Sequence, residues 1–292
     1  MSDLLCIGSV LWDVIGRTAS HMKPGADVPG RILRQPGGVA LNIAMALRRF
    51  GLSPALLSAV GRDEAGEELI RACDLMELDT AHIYRSDDLP TDVYMAVEAA
   101  NGLIAAIADA HSLEAAGARI LTALSDGSLG SAKQPFAGAV ALDGNLTEAL
   151  LSEIATGDVL AKADLRLAPA SPGKAQRLLP FLTHGQAVLY VNLEEAGLLC
   201  QTSFTRTSDA AEALLVRGAK RVLITDGANP ACDGAPSGLI TGQPPQVLVT
   251  RVTGAGDTFM AAHIAADLAG ASREAALERA LQAAAAHVSG EA

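Results

Sequence analysis

The sequence predicts an α/β fold of three layers, a mostly parallel central sheet with helices on both faces. Three observations carry this expectation. Apolar strand-like runs alternate with helical runs along nearly the whole chain. A glycine turn, Thr253-Gly254-Ala255-Gly256-Asp257, lies between an apolar run and a small-residue helix, as strand-to-helix joints do. Asn101-Gly102, flanked by two strand-like runs, predicts a β-hairpin set into that pattern.

Taken in order, Leu4–Ile7 reads as a buried strand stopped by Gly8, and Val39–Phe50 as a helix ended by Gly51. Ala55–Val60 is a second strand, and Glu64–Met76 an amphipathic helix with acids in its first turn. Gly138–Leu142, Leu165–Leu167, Ala187–Val191 and Arg221–Thr225 are further strands, the last following a helix over Ser208–Arg217. Pro245–Val249 reads as the strand leading into the glycine turn, and alanine-rich helices span Phe259 to Val288. Residues 13–34 read as irregular, with Pro24, Gly25, Pro29 and Gly30, while 117–136 is helix-like at first and then Ser/Gly-rich and mobile. The hairpin strands, Asp92–Val97 and Leu103–Ala108, need something to cover them, such as a site beneath, a subunit interface, or both.

Bulk properties narrow the function. At 292 residues, half of them apolar, the chain suits one large α/β domain with an embellishment. A net charge of −11 with no basic stripe excludes a nucleic-acid partner. The four cysteines have no C-x-x-C pair and read as reduced thiols, and the six histidines lack metal-ligand spacing. The N-terminus enters a strand without a basic or secretory apolar segment, and no apolar run approaches ~20 residues. The expectation is a cytoplasmic protein with no membrane partner.

Several short patterns carry chemistry. Gly254 and Gly256 allow dihedrals closed to other residues and close backbone approach to a ligand, and the helix that follows aims N–H groups and its positive dipole end at the same place. The turn is an anion hole, or else only a tight connection. Asp257 would be repelled by a bound phosphate unless it had a task there, and proton acceptance is the obvious one. Asp13 lies just past the first strand, where open parallel sheets bind ligands, and suits vicinal hydroxyls; the plainer reading is a solvated loop acid. Gly37-Gly38 opens a helix with Asn42 one turn in, so backbone N–H groups and the amide can meet hydroxyls of a small polar ligand. Asn192 and Glu195, at i and i+3, offer hard oxygens for Mg²⁺ held through water, or form an ordinary helix cap, with Glu194 competing for the role. Thr225-Asp226-Gly227 ends another strand where a nucleotide can lie.

The order of these patterns resembles the ribokinase-like (PfkB) family of sugar and nucleoside kinases over essentially the full chain. The resemblance runs through Gly8 with Asp13, Gly37-Gly38 with Asn42, Val60-Gly61-Arg62-Asp63 with Gly66, Asn192-x-x-Glu195, Thr225-x-Gly227 and Thr253-Gly254-Ala255-Gly256-Asp257. It implies a Rossmann-like core over 1–12, 35–90 and 110–292, with a small β lid over 13–34 and 91–109 that also forms a homodimer interface. It implies transfer of phosphate from ATP, with Mg²⁺, to a hydroxymethyl group. Asp257 would be the general base and Gly254, Ala255 and Gly256 the anion hole. Asn192, Thr225, Gly227 and Thr253 would lie along the nucleotide, Asn192 and Glu195 would organise Mg²⁺, and Asp13, Gly37, Gly38 and Asn42 would grip the sugar. Within the family, Thr91–Val97 with Ala106–Asp109, Leu142–Leu146, Pro169–Ser171 and Lys174-Ala175 are most similar to pseudouridine kinases. Asp109 would accept a hydrogen bond from a base N–H, and Asn145 would belong to the same subsite. The alternatives are a kinase for ribose, fructose, adenosine or a similar acceptor, and a nucleotide-binding regulator without turnover.

The helix dipole beside Asp257 favours its ionised form, so the sequence predicts a weak base. Many relatives carry an acid two residues before the threonine of the signature, where it helps bind a monovalent cation; here that position is Arg251. A guanidinium has no lone pair for a cation, so none is expected to be required.

Overall fold

The computed structural model describes residues 4–291. The first part of the chain forms β1 (Leu4–Ile7), β2 (Leu11–Arg17), β3 (Arg31–Gly37), α1 (Val39–Arg49), β4 (Ala55–Leu57), β5 (Ala59–Gly61) and α2 (Glu64–Leu75). Next come β6 (Tyr84–Ser86), β7 (Val93–Ala99), β8 (Gly102–Asp109), α3 (His111–Ala116), β9 (Ala139–Asp143), α4 (Glu148–Thr156) and β10 (Asp164–Ala168). The rest forms β11 (Val188–Asn192), α5 (Leu193–Cys200), α6 (Thr207–Val216), β12 (Arg221–Asp226), β13 (Asn229–Ala235), β14 (Gly238–Gly242), α7 (Ala255–Leu268) and α8 (Arg273–Ser289).

The central sheet has eight strands in the order β14-β13-β12-β11-β10-β9-β1-β4. Six of them, β4 to β12, run parallel, and the β12-β13-β14 edge is antiparallel. Their continuous apolar sequences match burial on both faces: β1, β4 and β9 are buried at every position. One core, with Leu5, Ile7, Val140, Leu142, Leu165 and Leu189, faces α4 to α6, and the other, with Cys6, Leu41, Leu56, Tyr190, Phe259 and Met260, faces α1, α7 and α8. The expected α/β architecture is therefore the one observed.

A second sheet of four strands, in the order β3-β2-β7-β8, stands apart from the first. The 93–109 hairpin is one half of it. The other half corrects the reading of 13–34 as irregular: β2 runs to Arg17 and β3 starts at Arg31, paired in register from Leu11↔Gly37 to Arg17↔Arg31. β3 is exposed along most of its length, so no alternation of buried and exposed residues marks it. Residues 11–12 and 35–37 therefore belong to the second sheet rather than to the core, while 1–3 and 292, which the sequence also assigned to the core, lie outside the described residues.

Two further expectations are corrected. Ala55–Val60 is not one strand, because the chain leaves the central sheet at Ser58 and pairs β5 with β6 instead. Pro245–Val249 is not a strand: Pro244 and Pro245 lack the N–H that a ladder needs, and the sheet edge already ends at Gly242. The helix-like part of 117–136 is a 3₁₀ helix over Gly117–Leu124, anchored by buried Ile120, Leu121 and Leu124. The Val60-Gly61-Arg62-Asp63 motif holds the base of the second sheet. Asp63 caps α2 through Gly66 N (2.8 Å) and accepts Thr91 N (2.9 Å) and Thr91 Oγ1 (2.5 Å), just before β7. A Cβ at Gly66 would lie 2.0 Å from the Gly61 carbonyl, so only glycine permits that approach. Among the described residues no helix is long and apolar enough to cross a membrane.

Candidate active site

The parallel strands end at a cavity of about 960 Å³, lined by Ser9, Asp13, Gly38, Asn42, Asn145, Asn192, Glu195, Thr225 and the turn at 253–257. This is the position at which open parallel sheets present ligands to loops and helix N-termini. From the second sheet, Tyr94 and Ala108 complete one wall.

The glycine turn is built by two different demands. Gly254 is the N-cap of α7 at φ 83°, a left-handed conformation, and no side chain caps the helix. Gly256 corrects the expectation that both glycines need unusual dihedrals, because it has no positive φ and sits in the first helical turn. A Cβ there would meet nothing within 4 Å, so its use is open space for a ligand approaching the N–H groups of that turn. The glycine cradle and uncapped helix end fit the phosphate groups of a nucleotide.

Asp257 lies in the same turn and lines the cavity. Its Oδ2 accepts the Asn42 side-chain amide at 2.9 Å. Burial pushes the carboxyl up to about 7, and the charges of Asp143, Asp13 and Glu195 add to this, while the Asn42 hydrogen bond opposes it. The sequence leads to the expectation of an ionised, weak base; removal from water, with three acids nearby, instead raises this carboxyl above the usual carboxylate range. The group can hold or release a proton near neutral pH.

Asp13 projects from β2 and is 5% exposed. Burial pushes its carboxyl up to about 6. Gly37 does not line the cavity; a Cβ on it would fall 2.1 Å from the Asp13 carboxylate, so its absence gives Asp13 its seat. Gly38, at φ 97°, does line the cavity and caps α1, passing within 2.5 Å of the Ser9 carbonyl at the position of an added Cβ.

Behind this pair lies a network the sequence did not reveal. Buried Asp143, ending β9, accepts Ser9 N (2.8 Å), Ser9 Oγ (2.9 Å), Ala40 N (3.1 Å) and Asn145 N (2.8 Å). Its carboxylate fills the place where a Cβ on Gly8 would stand, which accounts for Gly8 at φ 145°. Asn145 donates to Ser9 Oγ at 2.9 Å and accepts from the Lys174 ammonium. Lys174 also lines the cavity, and burial holds its pKa below the usual lysine range. Only the adjacency of β1 and β9 brings Ser9 to Asp143, 134 positions away, and no sequence spacing encodes that.

At the other end, Asn192 and Glu195 make a reciprocal cap on α5. Glu195 N donates to Asn192 Oδ1 and Asn192 N to Glu195 Oε2, each at 2.8 Å. The helix-cap reading is the one observed; Glu195 also faces the cavity, while Glu194 is exposed and lines a separate surface groove. Burial raises the Glu195 pKa, which an adjacent cation would reverse. With one oxygen of each side chain already engaged, the pair fits a Mg²⁺ ion held largely through water and not a closed protein cage. Thr225, Asp226, Gly227 and Thr253 line this end, with Pro244, Pro245 and Val247 as its apolar wall. Asp226 is engaged by the Asn229 amide at 2.9 Å.

Asp109 is not brought to the cavity. Its carboxylate is exposed and bonded to His111 Nδ1 at 2.7 Å, which lowers its pKa; Ala108 and Ala110 on either side line the cavity instead. The two-residue alternation of β8 turns the acid outward.

The model for pfkB family carbohydrate kinases matches this chain over residues 1–291. The chain belongs to that family. A carbohydrate kinase from Agrobacterium tumefaciens superposes with a TM-score of 0.78 at 27% identity, covering 98% of this chain and 90% of that one. The fold is thus the ribokinase-like one. Among curated proteins, the pseudouridine kinase of Arabidopsis thaliana is 31% identical over 100 residues, 34% of this chain and 26% of its own. That of Escherichia coli is 40% identical over 67 residues, 23% of this chain and 21% of its own. The chain therefore spans only about a quarter of these relatives by matched sequence.

Proposed function

We propose that this pfkB-family protein is an ATP-dependent kinase that phosphorylates the hydroxymethyl group of a nucleoside or sugar, with pseudouridine as the favoured acceptor. The observation that carries the reading is Asp257: a carboxyl balanced near neutral pH, in the first turn of a helix whose glycine cradle opens into the same cavity. An acid beside an anion hole is repulsive unless it accepts the proton of the attacking hydroxyl.

In this reading Asp13 and Asn42 hold acceptor hydroxyls, and Asn42 also orients Asp257. Asp257 receives the hydroxyl proton late, as suits a loose transition state. The N–H groups of the Gly254–Gly256 turn stabilise charge on the transferred phosphoryl oxygens. Thr225, Gly227 and Thr253 lie along the nucleotide, and Asn192 and Glu195 organise Mg²⁺ through water. Bound Mg²⁺ neutralises phosphate charge. The second sheet, through Tyr94 and Ala108, acts as a lid that keeps water out of the cavity. Its exposed Ile32, Leu33, Leu103 and Ile107 suit a homodimer contact.

Two things support pseudouridine over a free sugar. Two of the five curated matches, all over short stretches, are pseudouridine kinases, beside a fructokinase and two bifunctional HldE proteins. Asn145 and Lys174 also line the cavity, and in this reading they meet the polar edge of a base. The test is ADP release from Mg-ATP with pseudouridine, uridine, adenosine, ribose and fructose. Turnover favouring pseudouridine supports the assignment. Turnover on a free sugar alone keeps the kinase and discards the acceptor, and ATP binding without turnover on any of them discards both.

A further inference from the structure

We propose that His287 is a positioning residue that straps the glycine turn to the last turn of α8, setting the aim of the anion hole. The inference rests on the phosphotransfer reading above, but the residue does not touch the cavity, which is lined instead by its neighbours Ala284, Ala285 and Val288.

The geometry is reciprocal. His287 Nε2 lies 2.8 Å from the Thr253 carbonyl, which can only accept, so Nε2 carries the proton. Nδ1 is then bare and accepts from the Thr258 hydroxyl at 3.2 Å. One neutral imidazole thus grips the residue before Gly254 and the residue after Asp257, bracketing the four residues that form the hole and carry the base. Gly254 wraps closely round the ring: a Cβ there would stand 3.2 Å from Nε2, at a φ that already excludes most side chains.

The backbone of the same helix end is tied as well. Arg251 Nε donates to the His287 carbonyl at 2.7 Å, and Thr250 N and Arg251 N donate to the Val288 carbonyl at 2.8 and 3.2 Å. Burial, with the charges of Arg251 and Arg49, lowers the imidazole pKa against the Thr253 hydrogen bond, which keeps the ring in the neutral form that the strap requires. The segment before the turn has no strand to hold it, since 243–249 lies outside the sheet. The strap to α8 therefore replaces the support that a strand would give. An anion hole acts by preorganisation, and displacing it by ~1 Å costs roughly 10²-fold in rate.

The test compares His287→Ala, His287→Gln and His287→Asn. A glutamine amide nitrogen reaches the place of Nε2 and keeps the Thr253 bond; an asparagine amide overlies Nδ1 and does not. With Mg-ATP and pseudouridine, His287→Ala and His287→Asn should lose roughly 10–100-fold in kcat with the acceptor KM nearly unchanged, and His287→Gln should recover most of it. Hydrogen exchange of the amides at 252–258 should accelerate in the alanine variant and return toward the wild-type rate in the glutamine one. Wild-type kcat and exchange in His287→Ala would overturn the proposal, as would equal losses in the alanine and glutamine variants. If the alanine variant does not fold, Thr258→Val, which removes only the Nδ1 contact, should show a smaller kcat loss with the same exchange signature, and its absence would overturn the strap. Wild-type protein that turns over no acceptor would sink the kinase reading, while exchange at 252–258 would still decide the strap.

Discussion

The side-chain amide of Asn42 donates to the carboxylate of Asp257 at 2.9 Å, joining the first turns of two helices that are 215 positions apart in sequence. This bond links the di-glycine helix α1 to the glycine-turn helix α7, and it is the main influence holding the Asp257 pKa down against burial. Asn42→Ala should therefore raise the pKa of the base. The acidic limb of the kcat/KM–pH profile should move to higher pH by about 0.5–1 unit, and the rate at neutral pH should fall several-fold. A limb that stays in place would mean that Asn42 serves the acceptor alone.

Asp257→Asn keeps an oxygen for Asn42 but cannot take a proton. We expect kcat to fall roughly 10²–10⁴-fold. Nucleotide affinity, measured by calorimetry, should stay the same or tighten, because a negative charge beside the phosphates is gone. Loss of ATP binding in step with turnover would contradict the assignment of Asp257 as base.

The two raised carboxyls make a statement about stability. Folding lifts Asp13 to about 6 and Asp257 to about 7, so the folded state binds protons that the unfolded chain releases. Their contribution is fully present below the unfolded value, near pH 4, and is lost as pH rises through 6 and 7. Above that range the fold holds two carboxylates withdrawn from water, that of Asp257 also repelled by Asp143, which costs stability in exchange for function. Asp257→Asn should thus be more stable than wild type at pH 8, by on the order of 2 kcal/mol, and the gain should vanish near pH 4. Thermal unfolding at the two pH values checks the sign.

The sequence made the central sheet legible because buried parallel strands are short continuous apolar runs, such as Leu4–Ile7, and these need no partner to be recognised. The glycine turn and the capping pair were legible as local patterns of consecutive or i, i+3 residues. What depended on neighbours across the sheet was not. Asp143 with Ser9, and Lys174 with Asn145, meet only because β9 lies beside β1 and the chain after β10 folds back over the strand ends. The raised pKa of Asp257 has the same origin: the packing that buries it, and to a lesser extent Asp143, Asp13 and Glu195 on three other elements, cannot be read from local sequence. Asp109 shows the reverse: a suitable residue type at a strand end was turned outward by its register, Val93↔Asp109. The β2–β3 half of the second sheet was hidden because β3 is exposed along most of its length, so no alternation of buried and exposed residues marks it.

Arg251 stands two residues before the threonine of the glycine turn, and its Nε donates to the His287 carbonyl. A guanidinium offers a cation no lone pair, so the cation site that the family resemblance implies would not form here, and we expect turnover to be indifferent to K⁺. Replacing Na⁺ or choline by K⁺ should change kcat by less than about 2-fold, within the range of general salt effects. A several-fold activation by K⁺ would show that a cation site forms despite the guanidinium.

The most direct test of the account is the product itself. Phosphorus NMR of the protein with Mg-ATP and pseudouridine should show ADP and a new phosphomonoester coupled to a CH₂ group, as phosphorylation of the hydroxymethyl demands, and Asp257→Asn should slow the growth of both signals by roughly 10²–10⁴-fold. ADP with inorganic phosphate and no ester, or an ester formed equally well by Asp257→Asn, would contradict the claim that this cavity directs phosphoryl transfer to a hydroxymethyl group with Asp257 as its base.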